Sequence, residues 1–466
     1  MDMLINGEWV KTKKYIEVLN PADGSLVDHV PEGNSADVDR AVSAAANAFG
    51  SFSILPQADR RAAMLKIGAA IKAQAKDLAP TLTKEQGKPL DQAIQEIMYG
   101  GMLFEQFADL SPKPETLKEA GGVRLYTVPQ PIGVCGLIIP WNFPVAVMVW
   151  KLAPAILTGN TVVIKPSPYT PLTDLNIAKI ASDNLPKGVV NVVTGGDASG
   201  KALVKHPLIR KIAFTGHIDT GPKIAASAGS KRISLELGGN DAALALCDFD
   251  FALLETLHWC VFKNAGQICT AIKRIYVHES IYERFVAEFV KLTKNIKIGS
   301  GLEPGIRMGP LNNKEQFDKV KGLVEDAIKR GAKVECGGAH LTGTEYERGY
   351  FFSPTVLTGC KDDYPIVAEE QFGPAVPILP FKDFEEVIAR ANATGYGLGG
   401  SVWTRDTQTG VKVAERLACG IAWVNNHGLF DTLGPFGGTK DSGFGKELGA
   451  AGVEEYVVRK TVHVKM

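Results

Sequence analysis

The run Asn264-Ala265-Gly266-Gln267-Ile268-Cys269-Thr270 sets a thiol beside a glycine and small residues, so a carbonyl group could approach its sulfur closely. An ionised cysteine in that setting is a nucleophile, although an isolated cysteine is more often a small packing residue. The run Leu235-Glu236-Leu237-Gly238-Gly239 holds a carboxylate between leucines and ahead of a glycine pair. Apolar neighbours desolvate a carboxylate, raise its pKa and make it a usable general base near neutrality. A glutamate at a strand end and open to water would instead be inert. In Pro140-Trp141-Asn142-Phe143-Pro144 an asparagine lies between two prolines. Its amide could donate to a developing oxyanion or simply close a turn on its own backbone.

Such side chains act only if regular elements bring them together. Residues 34–49 and 60–76 carry apolar positions at three- and four-residue spacing with charges between them, the pattern of amphipathic helices. From residue 134 the pattern changes. Residues 134–139 are a continuous apolar run stopped by Pro140, as expected of a buried strand. Residues 146–157 read as a helix ended by Gly159-Asn160, and 161–164 as a strand halted by Pro166 and Pro168. A helix over 172–184, a strand over 189–193, a helix over 198–205 and a strand over 211–214 continue the rhythm. Alternation of this kind builds βαβ units on a parallel sheet, with right-handed crossovers and ligands at the carboxyl ends of the strands. After Gly239 a second α/β series follows, with helices over 251–262, 281–293 and 313–330 and strands over 274–277, 333–335, 355–357 and 421–424. Two outlying segments, 123–128 and 460–464, alternate like strands; they could pair with each other or with another subunit. No internal repeat and no low-complexity linker interrupts the chain.

The chain has 466 residues, too many for one core, so two or three structural units are expected. Lys plus Arg and Asp plus Glu each total 51, which gives no reason to expect nucleic acid or an anionic membrane as partner. The seven cysteines are odd in number and scattered, with no C-x-x-C, so neither a disulfide framework nor a zinc site is expected, and a reducing, cytoplasmic compartment is. No basic segment followed by an apolar one stands at the start, so no signal peptide is read. The apolar stretch 131–150 contains Pro131, Pro140, Asn142 and Pro144, which break any single membrane-spanning helix. His and Cys show no metal-ligand spacing.

The three constellations, with Phe214-Thr215-Gly216 followed by Gly221, Glu369-Glu370-Gln371-Phe372-Gly373-Pro374, and Pro435-Phe436-Gly437-Gly438 through Ser442-Gly443, occur in the order and spacing of the aldehyde dehydrogenase superfamily. The resemblance runs from about Asn6 to about Val464. It implies an α/β fold with a Rossmann-like cofactor domain (1–112 and 132–237), an α/β catalytic domain (238–440), and a small β oligomerisation arm (113–131 and 441–466) that makes a homodimer or homotetramer. It also implies oxidation of an aldehyde to the acid with NAD(P)+. Cys269 adds to the aldehyde to give a thiohemiacetal whose oxyanion meets the Asn142 amide and the Cys269 backbone N–H. Hydride passes to the nicotinamide, leaving a thioester, and Glu236 activates the water that releases the acid. Lys151 and Glu447 match a proton path behind that base. Glu236 also favours hydrolysis over acyl transfer to coenzyme A, since acylating relatives usually lack that residue.

For the cofactor, Lys165 matches a lysine on the adenosine ribose, Glu370 the carboxylate on the nicotinamide ribose, and Phe372 the ring packed beside it. Phe214, Thr215, Gly216, His217 and Gly221 match a loop that opens a helix toward the pyrophosphate. Ile139, Pro140, Trp141, Ser167, Pro168 and Leu237 complete the expected channel. Phe143, Val147, Trp150, Ile268, Thr270 and Phe436 match the substrate tunnel. They include no Arg or Lys, so an uncharged aliphatic or aromatic aldehyde is expected. Two departures stand out. Pro168 replaces the glutamate by which NAD-preferring members hold the ribose hydroxyls and repel a 2′-phosphate, leaving room for NADP+. His217 replaces a serine and could either donate to phosphate or face solvent.

Overall fold

The computed structural model describes residues 1–344 and 346–466. Its larger sheet has eight strands in the order Gly443–Phe444, Arg232–Glu236, Ile209–Thr215, Val134–Ile138, Thr161–Lys165, Val190–Val192, Met3–Ile5 and Glu8–Val10. The five strands from Arg232–Glu236 to Val190–Val192 are mutually parallel, and the flanking pairs are antiparallel. From the central strand Val134–Ile138 the chain winds outward through Thr161–Lys165 to Val190–Val192. It then returns to lay Ile209–Thr215 and Arg232–Glu236 on the other side. The switch point lies between Val134–Ile138 and Ile209–Thr215, and a crevice opens beyond the carboxyl ends of such strands. The segments that follow those ends are the Pro140–Pro144 run, Gly216-His217 and Leu237-Gly238-Gly239.

The second sheet has seven strands, ordered Lys333–Cys336, Thr355–Thr358, Ala375–Phe381, Ile272–His278, Asp241–Ala245, Gly399–Trp403 and Ile421–Val424. All its pairs are parallel except the first. Asp241–Ala245, Ala375–Phe381 and Gly399–Trp403 were not apparent from periodicity. The two outlying segments do pair with each other: Val123–Pro131 runs antiparallel to Val457–Lys465 along its whole length, with Glu115–Ala120 on its other side. The tail expected in this arm is divided, since Gly443–Phe444 joins the larger sheet instead.

Local chemistry sets the helix ends. Asn34 accepts from the Ala36 N–H while Asp37 accepts from the Asn34 N–H, a capping box that starts Ser35–Ser53. Pro144 and Pro171 stand in the first turns of Pro144–Leu157 and Pro171–Asp183, where a missing N–H costs nothing. Pro144–Leu157 is buried on every face, so the stretch with membrane-like hydropathy is the core of the cofactor-side layer. Among the described residues no helix is long and apolar enough to cross a membrane.

Helix Leu90–Phe107, unrecognised from periodicity, packs on Gln57–Gln86 through Gly68 and Gly101. A methyl group on Gly101 would lie 2.7 Å from the Gly68 carbonyl oxygen and 2.6 Å from the Lys72 Cγ. Overpacking against backbone outweighs the gain in helix propensity, so Gly101→Ala is expected to destabilise by about 1–3 kcal/mol. Gly322, on helix Lys314–Lys329, has open space around it, and Gly322→Ala should stabilise by about 0.5–1 kcal/mol. Equilibrium denaturant unfolding reads both; equal effects of one sign would refute this account of the helix crossing.

Candidate active site

Between the carboxyl ends of the larger sheet and the start of strand Ile272–His278 lies a cleft of about 830 Å³. Cys269, Glu236 and Asn142 all line it. Cys269 sits in the turn that leads into that strand, with part of its surface open to the cleft. The turn begins with Asn264, Ala265 and Gly266 in succession in the left-handed region, at φ 51°, 54° and 71°. Non-glycine residues there carry strain of about 1–3 kcal/mol each and persist only where the surroundings over-determine them. Here they do. The Asn264 N–H donates to Gln92 Oε1 (3.2 Å), Gln267 Nε2 donates to the Asn264 carbonyl (2.9 Å), and the Asn312 N–H donates to Gln267 Oε1 (2.9 Å). Gly266 is obligatory as well, because a Cβ there would lie 2.3 Å from the Gly373 carbonyl oxygen.

The Asn142 amide is buried and donates to the Gln267 carbonyl at 3.0 Å, two residues before the thiol, which leaves its second N–H for a ligand oxygen. Lys88 holds it in place. Its ammonium donates to the Asn142 carbonyl (2.9 Å), pairs with Glu96 and lies 3.9 Å from the centre of the Phe143 ring. Glu96 in turn accepts the Val145 N–H at 3.0 Å, capping the helix that Pro144 opens. One buried ion pair therefore grips both sides of the Asn142-Phe143 corner.

Glu236 ends the strand Arg232–Glu236 and is buried, without an aligned hydrogen-bond donor on either oxygen. Burial holds its carboxyl well above the usual carboxylate range, and the Glu447 charge pushes it further, while Lys151, Lys446 and the Gly438 N–H oppose. Lys151 and Glu447 form a buried ion pair behind it, outside the cleft wall. The glycines after Glu236 are there for close approach. A Cβ on Gly238 would lie 2.2 Å from a Glu370 oxygen, and one on Gly239 2.5 Å from the Cys269 carbonyl oxygen. Desolvation pushes the Cys269 thiol up to about 12; Lys273 opposes this, and Glu370, Asp241 and Glu236 add to it. A proton acceptor must therefore take the thiol proton, and the raised carboxyl of Glu236 is suited to do so.

Of the residues expected along the cofactor, Ile139, Pro140, Trp141, Lys165, Ser167 and Pro168 line the cleft, as do Phe214, Thr215, Gly216, His217, Leu237, Glu370 and Phe372. Gly221 does not: a Cβ there would lie 2.5 Å from Leu237 Cδ1, so it is a packing glycine where helix Gly221–Ala228 crosses the strand end. Glu370 accepts the Gly239 N–H at 3.1 Å, and Trp141 meets the Phe372 ring edge-on at 5.3 Å. His217 is half exposed, with its Nδ1 turned back to accept the Asp219 N–H at 3.2 Å. The residues fit a dinucleotide. Lys165 is buried, among the described residues donates only to the Pro166 carbonyl (2.9 Å), and has its ammonium pulled down to about 8 by desolvation. Gly200 lies against its stem, where a Cβ would be 3.5 Å from the Lys165 Cδ and Cε. A buried cation with no carboxylate bonded to it is a group made to meet an anionic or hydroxyl-bearing ligand.

All six expected tunnel residues line the cleft: Phe143, Val147, Trp150, Ile268, Thr270 and Phe436. Trp150, Phe430 and Phe436 form an aromatic cluster with centroids 5.1–5.7 Å apart. The wall of the cleft also holds Tyr99, Gln95, His427 and Lys263. Sequence reasoning missed Lys88, Glu96 and His427, which carry no local pattern. Phe430 was open to detection as an aromatic between Leu429 and the Pro435 motif.

A family model described as the aldehyde dehydrogenase family matches residues 9–462. Aldehyde dehydrogenase 1A1 of Mesocricetus auratus is 40% identical, over 100% of this chain and 95% of its own length. Phenylacetaldehyde dehydrogenase of Pseudomonas fluorescens is 39% identical, over 99% and 95%. A crystal structure of a point mutant of betaine aldehyde dehydrogenase from Staphylococcus aureus, in complex with NAD+, superposes with a TM-score of 0.97 at 34% identity, covering 100% of this chain and 97% of that one. With its cleft, its thiol and its doubly wound sheet, the chain belongs to the aldehyde dehydrogenase family and is an NAD(P)+-dependent aldehyde dehydrogenase.

Proposed function

We propose that the chain oxidises uncharged aliphatic or aromatic aldehydes to carboxylic acids, with Cys269 as nucleophile and Glu236 as base. The observation that supports this best is the convergence of Cys269, Glu236 and Asn142 on one cleft that is also lined by the buried Lys165. Glu236 takes the thiol proton as the Cys269 sulfur bonds to the aldehyde carbon. The oxyanion that forms accepts from the free N–H of Asn142 and from the Cys269 backbone N–H. A bound nicotinamide supplies the two-electron acceptor, and Lys165 and Glu370 are the residues that would hold its two riboses. Glu236 hands the thiol proton back to the Lys151–Glu447 pair and, ionised again, draws a proton from water, whose oxygen bonds to the acyl carbon as the C–S bond breaks and the Cys269 thiolate leaves. Lys151 and Glu447, paired behind Glu236, receive that proton and pass it on.

The aromatic cluster around Trp150 suits an apolar chain or ring, and phenylacetaldehyde dehydrogenase is among the relatives. Lys263 lies on the wall of the cleft and does not alter the apolar lining formed by Phe143, Trp150, Phe430 and Phe436. The missing glutamate at Pro168, together with Lys201 and Lys223 on the cofactor wall, supports use of both NAD+ and NADP+. The dinucleotide role falls to the larger sheet and the nucleophile to the second. The three-stranded arm, whose edge strand Glu115–Ala120 is exposed throughout, supports assembly into a homodimer or homotetramer. Seven free thiols support a cytoplasmic location.

Glu236→Gln should lower steady-state turnover by about 10²–10⁴-fold and slow the first-turnover release of reduced cofactor as well, since the thiol loses its proton acceptor; turnover within threefold of wild type excludes Glu236 as the base. In the wild type, hydrolysis should fade as pH drops through the raised carboxyl of Glu236, because only the ionised form accepts a proton. The ratio of kcat/KM for NAD+ and NADP+ should stay within ~1000-fold, about 4 kcal/mol. Hexanal and benzaldehyde should outperform succinic semialdehyde, and the reverse order would reject the substrate assignment.

A further inference from the structure

Four residues beyond the nucleophile, Lys273 begins its run along strand Ile272–His278, yet its side chain turns back beneath the turn. It is 2% exposed. Its ammonium has three hydrogens and three acceptors around it: the Ile268 carbonyl at 2.7 Å, the Cys269 carbonyl at 2.8 Å, and Glu370 Oε1 at 3.3 Å. Glu370 also accepts the Gly239 N–H and presses on Gly238, which leaves no room for a Cβ. The ring of Phe372 lies beyond, 5.9 Å from the ammonium. The lysine thus bonds at once to the turn that carries the thiol and to the carboxylate on the cofactor side of the cleft.

We propose that Lys273 is a positioning residue that ties the Cys269 turn to Glu370 and keeps sulfur and carboxylate in one register. The proposal rests on the roles assigned above to Cys269 and Glu370. A neutral donor could hold the two carbonyls equally well, so the ammonium charge needs its own reason. The groups that act on the thiol are Lys273, which favours the thiolate, and Glu370, Asp241 and Glu236, which oppose it when ionised; burial pushes Asp241 up to about 7 and Glu236 well above the usual carboxylate range. Asp241 lies against Gly239 and Gly399, and its other neighbour His427, 3.6 Å away, is held neutral by burial. Lys273 is therefore the positive charge that offsets these acids at the sulfur. It favours the thiolate, and it holds Glu370 on the wall of the cleft.

The test measures the pH profile of iodoacetamide alkylation at Cys269 on the full-length protein, read by peptide mass spectrometry so that the other thiols do not interfere. In Lys273→Gln, which keeps a donor and removes the charge, and in Lys273→Met, the midpoint should rise by about one pH unit, a tenfold slower reaction at fixed pH. Fluorescence titration should show weaker binding of NAD+ to both variants, by about fivefold or more. A wild-type profile and unchanged NAD+ binding in Lys273→Gln would overturn the proposal. Should the lysine variants fail to fold, Glu370→Gln, nearly isosteric, decides: a lowered midpoint sustains the charge balance and an unchanged one overturns it. Retained dehydrogenase activity in Cys269→Ala would instead overturn the nucleophile assignment, leaving the alkylation profile to judge Lys273 alone.

Discussion

Burying an ammonium group costs several kcal/mol unless a carboxylate of suitable geometry accompanies it, and this chain buries five lysines, Lys88, Lys151, Lys165, Lys211 and Lys273. Lys88 pairs with Glu96, Lys151 with Glu447, Lys211 with Glu455 and Lys273 with Glu370. The pairs at Lys88, Lys151 and Lys273 surround the cleft. One grips the corner that presents Asn142, one stands behind Glu236, and one underlies the Cys269 turn. Each pair fixes a position as much as a charge, because an ion pair without water tolerates little displacement. Lys165 is the exception: within the described chain it bonds only to a carbonyl, and it lies where the dinucleotide is expected. The same pattern of pairing that surrounds the proposed catalytic groups thereby sets Lys165 apart as a candidate for the cofactor.

Desolvation is the common cause of the titration behaviour here. It raises the Cys269 thiol, Glu236 and Glu447 together. Groups that in water would be ionised or unreactive by habit are brought to where a proton can be exchanged between them at modest cost. The strained turn over residues 264–266 serves the same end mechanically. Hydrogen bonds to Gln92, Gln267 and Asn312 hold that backbone in place and keep the sulfur at the cleft.

Much of this was legible in the sequence where one property dominated. The apolar runs at Val134–Ile138 and Thr161–Lys165, each stopped by proline, read as buried parallel strands, and they are. Asp241–Ala245 did not read as a strand because three of its five residues are alanine, which has little preference for a pleated surface. Leu90–Phe107 was obscured by Gly100 and Gly101, helix-weakening residues whose purpose is visible only once the neighbouring helix crosses them. At the site, Cys269, Glu236 and Asn142 stood out because their neighbours were unusual for their type. Lys88 and Lys273 did not, since a lysine is ordinarily solvated and their burial depends on groups distant in sequence, the Asn142 carbonyl for Lys88 and Glu370 for Lys273. Gly221 was matched to the cofactor loop by its spacing, whereas Leu237 beneath it decides its role.

The arm joins strands from opposite ends of the polypeptide: the Arg459 guanidinium reaches Thr127 Oγ1 from 332 positions away, and Val457–Lys465 pairs with the whole of Val123–Pro131. On a ribosome adding about 5–20 residues per second, the earlier strand waits tens of seconds with one edge bare. Nascent chains on neighbouring ribosomes offer the same edge at the same time. The charges along this hairpin, Glu115, Lys118, Glu119 and Arg124, discourage that premature pairing. Completion of the arm therefore becomes one of the last acts of synthesis, so that a product cut short before Val457 leaves a subunit whose two large sheets can form but whose three-stranded sheet lacks its last strand.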